Sequence, residues 1–395
     1  MSKKRIAVIF DEDIYNQRGM FNAIRNRIKH LHNIADFDID VYVIGCYEPW
    51  YIRLLRNTKK VEKLKSIQFD GITYNTLWYN FTLLDYLLEV KLHIAPIFTN
   101  LFYRKLIRKI KGYDLISAHS INCGRLASQV AKRENIPFCV TWHGTDIHTT
   151  PFVSDSKFNL IRAILSSASY NFFVSDQLKS VGSTIAPEMK SIVLYNGRNR
   201  LFVKYQPEER NKVREKYSID NKTKVVAFVG NLLEVKNPHL LAPIFSSVEH
   251  KYSGSVTFWI IGSGKLSYQV EKLCEEYQVK CIMWGAQPVD KMPDFFNCID
   301  ILVLPSRNEG LPLVTVEALA CGANVVGSAV GGIGEAIGFD NVFPHGENFV
   351  DAISDRIVQM LNSNISQSLT GQFEWENTAR KELEIYTRLF LQNEK

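Results

Sequence analysis

Residues 306–322 read SRNEGLPLVTVEALACG. Two carboxylates, Glu309 and Glu317, stand in a stretch that is otherwise almost wholly apolar. The preceding run DILVLPS (300–306) reads as a strand ending at Ser306, and RNEG reads as a loop. LPLVTVEALACG reads as a helix with Pro312 in its first turn and Gly322 at its stop. A helix entered from a parallel strand through a Gly-containing loop turns free N–H groups and the positive end of its dipole outward, where phosphates bind. Glu317 then lies about five residues, on the order of 7 Å, along the axis. That offset suits a ligand whose phosphates cap the helix while a neighbouring unit with vicinal hydroxyls runs alongside it. A carboxylate accepts from two adjacent hydroxyls, as acidic residues do with a ribose. The ordinary alternative is a buried pairing of Glu317 with a basic side chain.

Working outward, short β-branched and aliphatic runs alternate with helical patterns through the whole chain, which predicts parallel sheets with crossover helices. The first half supplies RIAVIF (5–10), DVYVIG (40–45), DLISAH (114–119), PFCVTWH (137–143), YNFFVS (170–175) and SIVLYNG (191–197). The second supplies KVVAFVG (224–230), VTFWIIG (256–262), KCIMWG (280–285), DILVLPS (300–306) and ANVVGS (323–328). Between them, RLFVKYQPEERNKVREKYSIDNKT is polar and charged and marks a domain boundary near 200–220. With 395 residues, the chain suits two domains of ordinary size. Two such α/β halves predict a cleft lined by loops at the carboxyl ends of both sheets.

Composition excludes several classes. No stretch reaches the roughly 18 apolar residues of a spanning helix. The basic start MSKKRIAVIF lacks a signal-peptide cleavage site and ends in acidic DED, so it reads as a first strand. Seven scattered cysteines without a CxxC pair predict a reducing cytoplasmic setting and no metal site. Residues 1–200 hold 28 Lys and Arg against 17 Asp and Glu, whereas 201–395 hold 19 against 24. No nucleic-acid-binding motif accompanies the basic half, so an anionic membrane surface or a phosphate-bearing substrate is the expected partner.

EGLPLVTVE followed by ALACGANVVGSAVGGIGEAI resembles the signature of the retaining GT-B glycosyltransferases of family 4 (glycosyltransferase group 1). SAHSINCGRLA, IPFCVTWHGTD, VLYNG, VGNLLEVKNP, IIGSGKL and WGAQPVDKMPDFFNCIDILVLPS match it in order. The resemblance implies two Rossmann-like doubly wound parallel-sheet domains. These would be an acceptor-binding domain at 1–200 and a nucleotide-sugar-binding domain at 201–372, with a C-terminal helix at 373–395 packing back on the first. It implies a nucleotide-diphosphate sugar as co-substrate, a UDP-sugar before a GDP-sugar, with no obligatory cofactor or metal.

Residue by residue, Glu317 resembles the glutamate that binds ribose hydroxyls and Glu309 the one at the donor sugar. Gly310, Leu311, Pro312 and Leu313 fall where backbone meets sugar and phosphate oxygens. Lys236 resembles the lysine that neutralises the diphosphate, a charge the leaving group needs. The usual arginine five positions earlier is Asn231 here, and Arg198, Arg200 or Arg307 are candidate substitutes. His143 resembles the histidine beside the donor sugar. Asp146, His119 and Asn196 are assigned to the acceptor or sugar pocket. Gly19 is placed at a phosphate, although relatives carry two glycines where this chain has Arg18-Gly19. Gly262 borders the nucleotide pocket or serves a tight turn. With no third glycine after Gly264, a hydride-transfer reading fails.

The expected reaction is retaining transfer of a sugar to a hydroxyl of a glycan or lipid-linked acceptor in surface polysaccharide biosynthesis. The resemblance implies a front-face route in which the departing diphosphate takes the acceptor's proton. The alternatives are an inactive sugar-nucleotide-binding subunit, which Asn231 makes conceivable, and a sugar-nucleotide epimerase. The acids Asp11, Glu12 and Asp13 read as the start of a solvated loop. IFTNLFYRKLIRKIK (97–111) and WYIRLLRNTKK (50–60) mix apolar and cationic residues, as peripheral membrane segments do. The plainer reading is an ordinary crossover helix with a solvated basic face.

Overall fold

The computed structural model describes residues 3–15, 19–58, 60–88, 101–102, 105–106, 108–363 and 365–393. The chain divides into two compact units. The first comprises Met1–Val174, Leu178–Leu194 and Thr378–Lys395, the second Ser175–Gln177 and Tyr195–Asn377.

The first unit is built on β1 (Arg5–Phe10), β2 (Asp38–Tyr47), β3 (Ser66–Phe69), β4 (Ile72–Asn80), β5 (Leu115–His119), β6 (Phe138–Trp142), β7 (Tyr170–Phe173) and β8 (Ser191–Val193). They form one sheet in the order β3-β4-β2-β1-β5-β6-β7-β8. All pairs are parallel except the β3–β4 hairpin. β1 is buried from Ile6 to Phe10, as an unbroken apolar run in a sheet covered on both faces should be. The helix Gly19–Ile34 packs on it through Phe21, Ile24, Ile28 and Leu31, one face at helical period. Ala379, Tyr386, Leu389 and Phe390 of the helix Trp375–Asn393 join the same core.

β3 and β4 are not among the expected strands. Asp70-Gly71 joins them with φ of 52° and 78°, the backbone of a two-residue hairpin turn. Of the segment 97–111, Ile97, Phe98, Arg104 and Ile107 lie outside the described residues, as does Arg18. Within it Leu106 and Ile110 are buried and Leu101 is exposed.

The second unit carries β9 (Lys224–Val229), β10 (Val256–Ile261), β11 (Cys281–Gly285), β12 (Ile301–Leu304), β13 (Asn324–Ser328) and β14 (Val342–Phe343). The order is β11-β10-β9-β12-β13-β14, parallel throughout. The division between the units falls at 194/195 and 377/378, earlier in the chain than 200 and later than 372. The polar stretch after 200 is structure, not linker. Its helix Pro207–Lys216 is anchored by Arg214, buried and donating to the Cys298 carbonyl, and by Arg210, paired with Asp300 at 3.0 Å.

A buried charge pair fastens the first unit. Arg27 Nε meets Glu382 at 2.5 Å with both side chains nearly closed to solvent, and its guanidinium lies 5.1 Å over the Phe172 ring. The Tyr386 hydroxyl donates to Glu382 and meets Ser117 Oγ at 2.8 Å. Removing one partner strands the other charge in a dry interior, a cost of about 3–5 kcal/mol. Glu382→Ala is therefore expected to lower the urea midpoint of the first unit markedly. Arg27→Met with Glu382→Leu should recover most of that loss, read by tryptophan fluorescence.

Candidate active site

In the second unit, β12 ends at Leu304 and the chain runs through Ser306 and Glu309 into the helix Leu313–Ala320. Pro312 is the N-cap, not a first-turn residue, and it brings no side-chain cap, so the opening amides of the helix are left for another acceptor. Glu309 is buried. Its Oε1 accepts from Lys236 Nζ at 2.5 Å and from Ser306 Oγ at 2.7 Å. Lys236 arrives on the turn Glu234–Lys236 after β9, tied in place by the Arg307 amide donating to the Val235 carbonyl at 2.9 Å.

Glycines set how closely this loop is approached. Gly331 has φ of 56°, and a Cβ there would meet the Glu309 carbonyl oxygen at 2.1 Å. The Gly332 amide donates to the Gly310 carbonyl. Asn196 Nδ2 donates to the Leu311 carbonyl at 3.0 Å, so within this unit it braces the glutamate loop from the other side. Ser306, Gly331, Gly332 and His345, whose Nε2 lies 2.9 Å from the Ser306 carbonyl, were not singled out in the sequence. The GG pair at 331–332 was the legible signal for two of them.

Glu317 differs from Glu309. It is half-buried, no hydrogen-bond or ion-pair partner meets it among the described residues, and burial pushes its carboxyl up to about 7. Gly262 and Gly264 are required by backbone approach. A Cβ would meet the Gly230 oxygen at 1.9 Å in one case and the Leu232 oxygen at 2.2 Å in the other. Of the substitutes considered for the missing arginine, Arg198 pairs with Glu374 at 2.6 Å and Arg200 with Glu376. Neither is a spare cation. Arg307 and Asn231 carry exposed side chains.

In the first unit, His119 ends β5 and His143 follows β6. His119 Nδ1 lies 3.0 Å from His143 Nε2 and the rings stack at 26°. Burial pushes both imidazoles down, His143 to about 3, with Arg27 adding to each shift and His143 adding to that of His119. The pair is neutral, one ring donating its N–H to the other. Asp146 accepts from the His143 amide at 2.9 Å and the Gly144 amide at 2.7 Å, and burial nonetheless raises its carboxyl to about 6. It shapes the HGTD turn, in which Gly144 has φ of 153°.

Asp11 is not part of a solvated loop. It accepts from Ser120 Oγ at 2.6 Å and Asn122 Nδ2 at 3.1 Å, and burial raises its carboxyl. Gly19 starts the helix Gly19–Ile34 with nothing within 4 Å of where its Cβ would stand, so packing does not require glycine there. Among the described residues no three His, Cys, Asp or Glu side chains are grouped to hold a metal ion.

Residues 209–377 match the family model of glycosyl transferases group 1, and residues 89–175 match that of glycosyl transferase 4-like proteins. The chain is 27% identical over 226 residues to the putative teichuronic acid biosynthesis glycosyltransferase TuaC of Bacillus subtilis, covering 57% of this chain and 55% of that one. Sucrose-phosphate synthase from Thermosynechococcus elongatus superposes with a TM-score of 0.74 at 17% identity, covering 99% of this chain and all of that one. Anabaena HepE in complex with UDP superposes at 0.68 and 17% identity, covering 98% of each. The fold is GT-B.

A raised Glu317 has a readable sign. Its folded value near 7 lies above the unfolded one near 4.5, so the native state holds an extra proton between them. The associated stability is full below pH 4.5 and lost as pH rises through about 7. Glu317→Gln should therefore raise the melting temperature at pH 8 and leave it unchanged near pH 4, checked by calorimetry at both.

Proposed function

Because the chain belongs to the glycosyl transferases of group 1, we propose that it moves a sugar, with retention, from a UDP-sugar to a hydroxyl of a glycan or lipid-linked acceptor in surface polysaccharide assembly. The observation that carries this reading is the unpartnered Glu317, set inside a helix whose first amides are uncapped and whose entry loop holds Lys236. A ribose supplies two hydroxyl donors to that carboxylate, and a diphosphate supplies charge to the lysine and the helix terminus. HepE binds UDP and UDP-glucose, which favours uridine, and TuaC is assigned to teichuronic acid biosynthesis, which favours a surface polymer.

In this mechanism the bond from the sugar's anomeric carbon to the diphosphate oxygen breaks while the acceptor oxygen bonds to the same face. The acceptor's proton passes to the departing phosphate. Lys236 and the amides of Gly310, Leu311 and Leu313 stabilise the charge that develops there. Glu309, released from Lys236 when the diphosphate arrives, holds the donor sugar. Within the first unit, neutral His143 and His119 hydrogen-bond to each other, which fixes the ring orientation of both. Asn231 in place of a second cation favours one other reading, a subunit that binds the nucleotide sugar and transfers nothing.

Calorimetry against UDP, GDP, ADP and CMP tests the assignment. UDP is expected to bind, with Glu317→Ala weakening it by about 2 kcal/mol as two hydroxyl contacts are lost. Failure of all four nucleotides to bind the folded protein would refute it, and binding without turnover or donor hydrolysis would favour the inactive subunit. Glu309→Gln separates binding from chemistry. It frees Lys236 for the diphosphate, so UDP affinity should hold or rise while transfer falls by at least about a hundredfold.

A further inference from the structure

The helix Trp50–Arg56 leaves the end of β2, and the short helix Leu83–Tyr86 leaves the end of β4. These strands are parallel neighbours in register from Val41↔Tyr74 to Tyr47↔Asn80, so both helices start from one edge of the sheet. They are joined there. The Phe81 amide donates to the Tyr47 carbonyl at 2.9 Å, and the Arg56 guanidinium lies 5.0 Å over the Phe81 ring.

This edge exposes large apolar side chains in one place. Trp50 is 70% and Leu54 77% exposed, with Leu55, Leu83, Leu84 and Leu87 open beside them, while only Ile52 of the first helix turns inward. Single exposed leucines are ordinary, but a run of this size marks a surface that something covers. The charge around it is one-sided. Arg53 lies within the helix, and Lys60, Lys63 and Lys65 follow it, exposed. Lys63 is fixed at the same strand ends, 3.8 Å over the Tyr47 ring and donating to Asn80 Oδ1 at 2.8 Å. Among the described residues, of the nearby acids Glu48 is taken by Arg56 at 2.6 Å and Asp85 by the Thr82 capping box, which leaves Glu62.

Exposed leucines together with Trp50 and Tyr51, and exposed lysines close by in the chain, match the chemistry of an anionic bilayer, apolar within and negative at its face. A second copy of the chain would bring like cations against these. We propose that this surface seats the first unit on an anionic lipid bilayer. β5 lies two strands from β2, on the order of 10 Å, so His119 and His143 stand at strand ends on the same edge of the sheet as the seat. The meaning of that placement rests on the acceptor reading above: the acceptor is met at the membrane, as a lipid-linked glycan would be.

Flotation of the full chain with phosphatidylcholine vesicles, with and without roughly 30% phosphatidylglycerol in about 0.15 M salt, reads the seat directly. The protein is expected to float with the anionic vesicles and to remain below with the neutral ones. Leu54→Ser with Leu55→Ser, and separately Lys60→Glu with Lys65→Glu, should each cut the bound fraction at least about tenfold, with UDP binding and near-UV circular dichroism unchanged. Three results overturn it: no flotation, flotation undiminished by either variant, or a dimer in sedimentation that the leucine variant dissolves. No flotation of the unaltered chain with its UDP binding intact sinks the membrane seat alone, and no UDP binding by the unaltered chain with its flotation intact sinks the donor reading alone.

Discussion

Parallel pairing is the constraint from which the rest follows. Strands that run the same way bring all their carboxyl ends to one edge, and the crossover helices that return the chain cover both faces. Whatever is not packing must be carried at that edge. In the second unit β9 delivers Lys236, β10 Gly262, β12 Ser306 and Glu309, and β13 Gly331 and Gly332. In the first, β1 delivers Asp11, β5 His119 and β6 His143. Burial on both faces holds these deliveries in register. A one-residue slip of β9 would exchange the inward sets Val226 and Phe228 for Val225 and Ala227 and displace Lys236.

At the edge of the second unit, charge separates two carboxylates that sequence spacing alone makes look equivalent. Glu309 sits in a loop with a lysine and a serine on one oxygen, and its charge is compensated at rest. Glu317 sits on a helix with no cation, and its proton stays on to about pH 7. In the proposed reaction a diphosphate, which carries more negative charge than one carboxylate and would also meet the uncapped helix amides, would displace Glu309 from Lys236. On that proposal one acid is switched by the ligand and the other takes hydroxyl donors.

Much of this was legible. Buried parallel strands announce themselves as aliphatic runs, and the seven-residue interval between the glutamates fixes one in the entry loop and one on the helix. What failed has physical reasons. SIQFDGITYNTLWYN alternates polar and apolar side chains, so its strands lack the buried-run signal, although Asp70-Gly71 was a turn in plain view. The polar composition after residue 200 hid the fact that Arg210 and Arg214 are anchors, because an arginine that caps carbonyls in a core cannot be told by type from one in solvent. The burial of Asp11 is hidden in the sequence for the same reason. Its partners Ser120 and Asn122 lie more than a hundred residues away.

The histidines of the first unit limit what chemistry it can supply. An imidazole whose proton leaves near pH 3 is, at pH 7, protonated in only about one molecule in ten thousand, so His143 is no general acid. The same value makes it a poor base. A terminal phosphate oxygen, with a pKa on the order of 6, is the stronger acceptor by about three units. Burial and the Arg27 charge thus remove the histidine pair from proton transfer and leave it as a fixed, neutral hydrogen-bonding surface. In the proposed reaction, the proton of the incoming hydroxyl then has the leaving phosphate as its destination. Burial is the larger cause, and Arg27, held in place by Glu382, adds to it, so the helix that carries Glu382 contributes through one buried ion pair to the neutrality of both histidines.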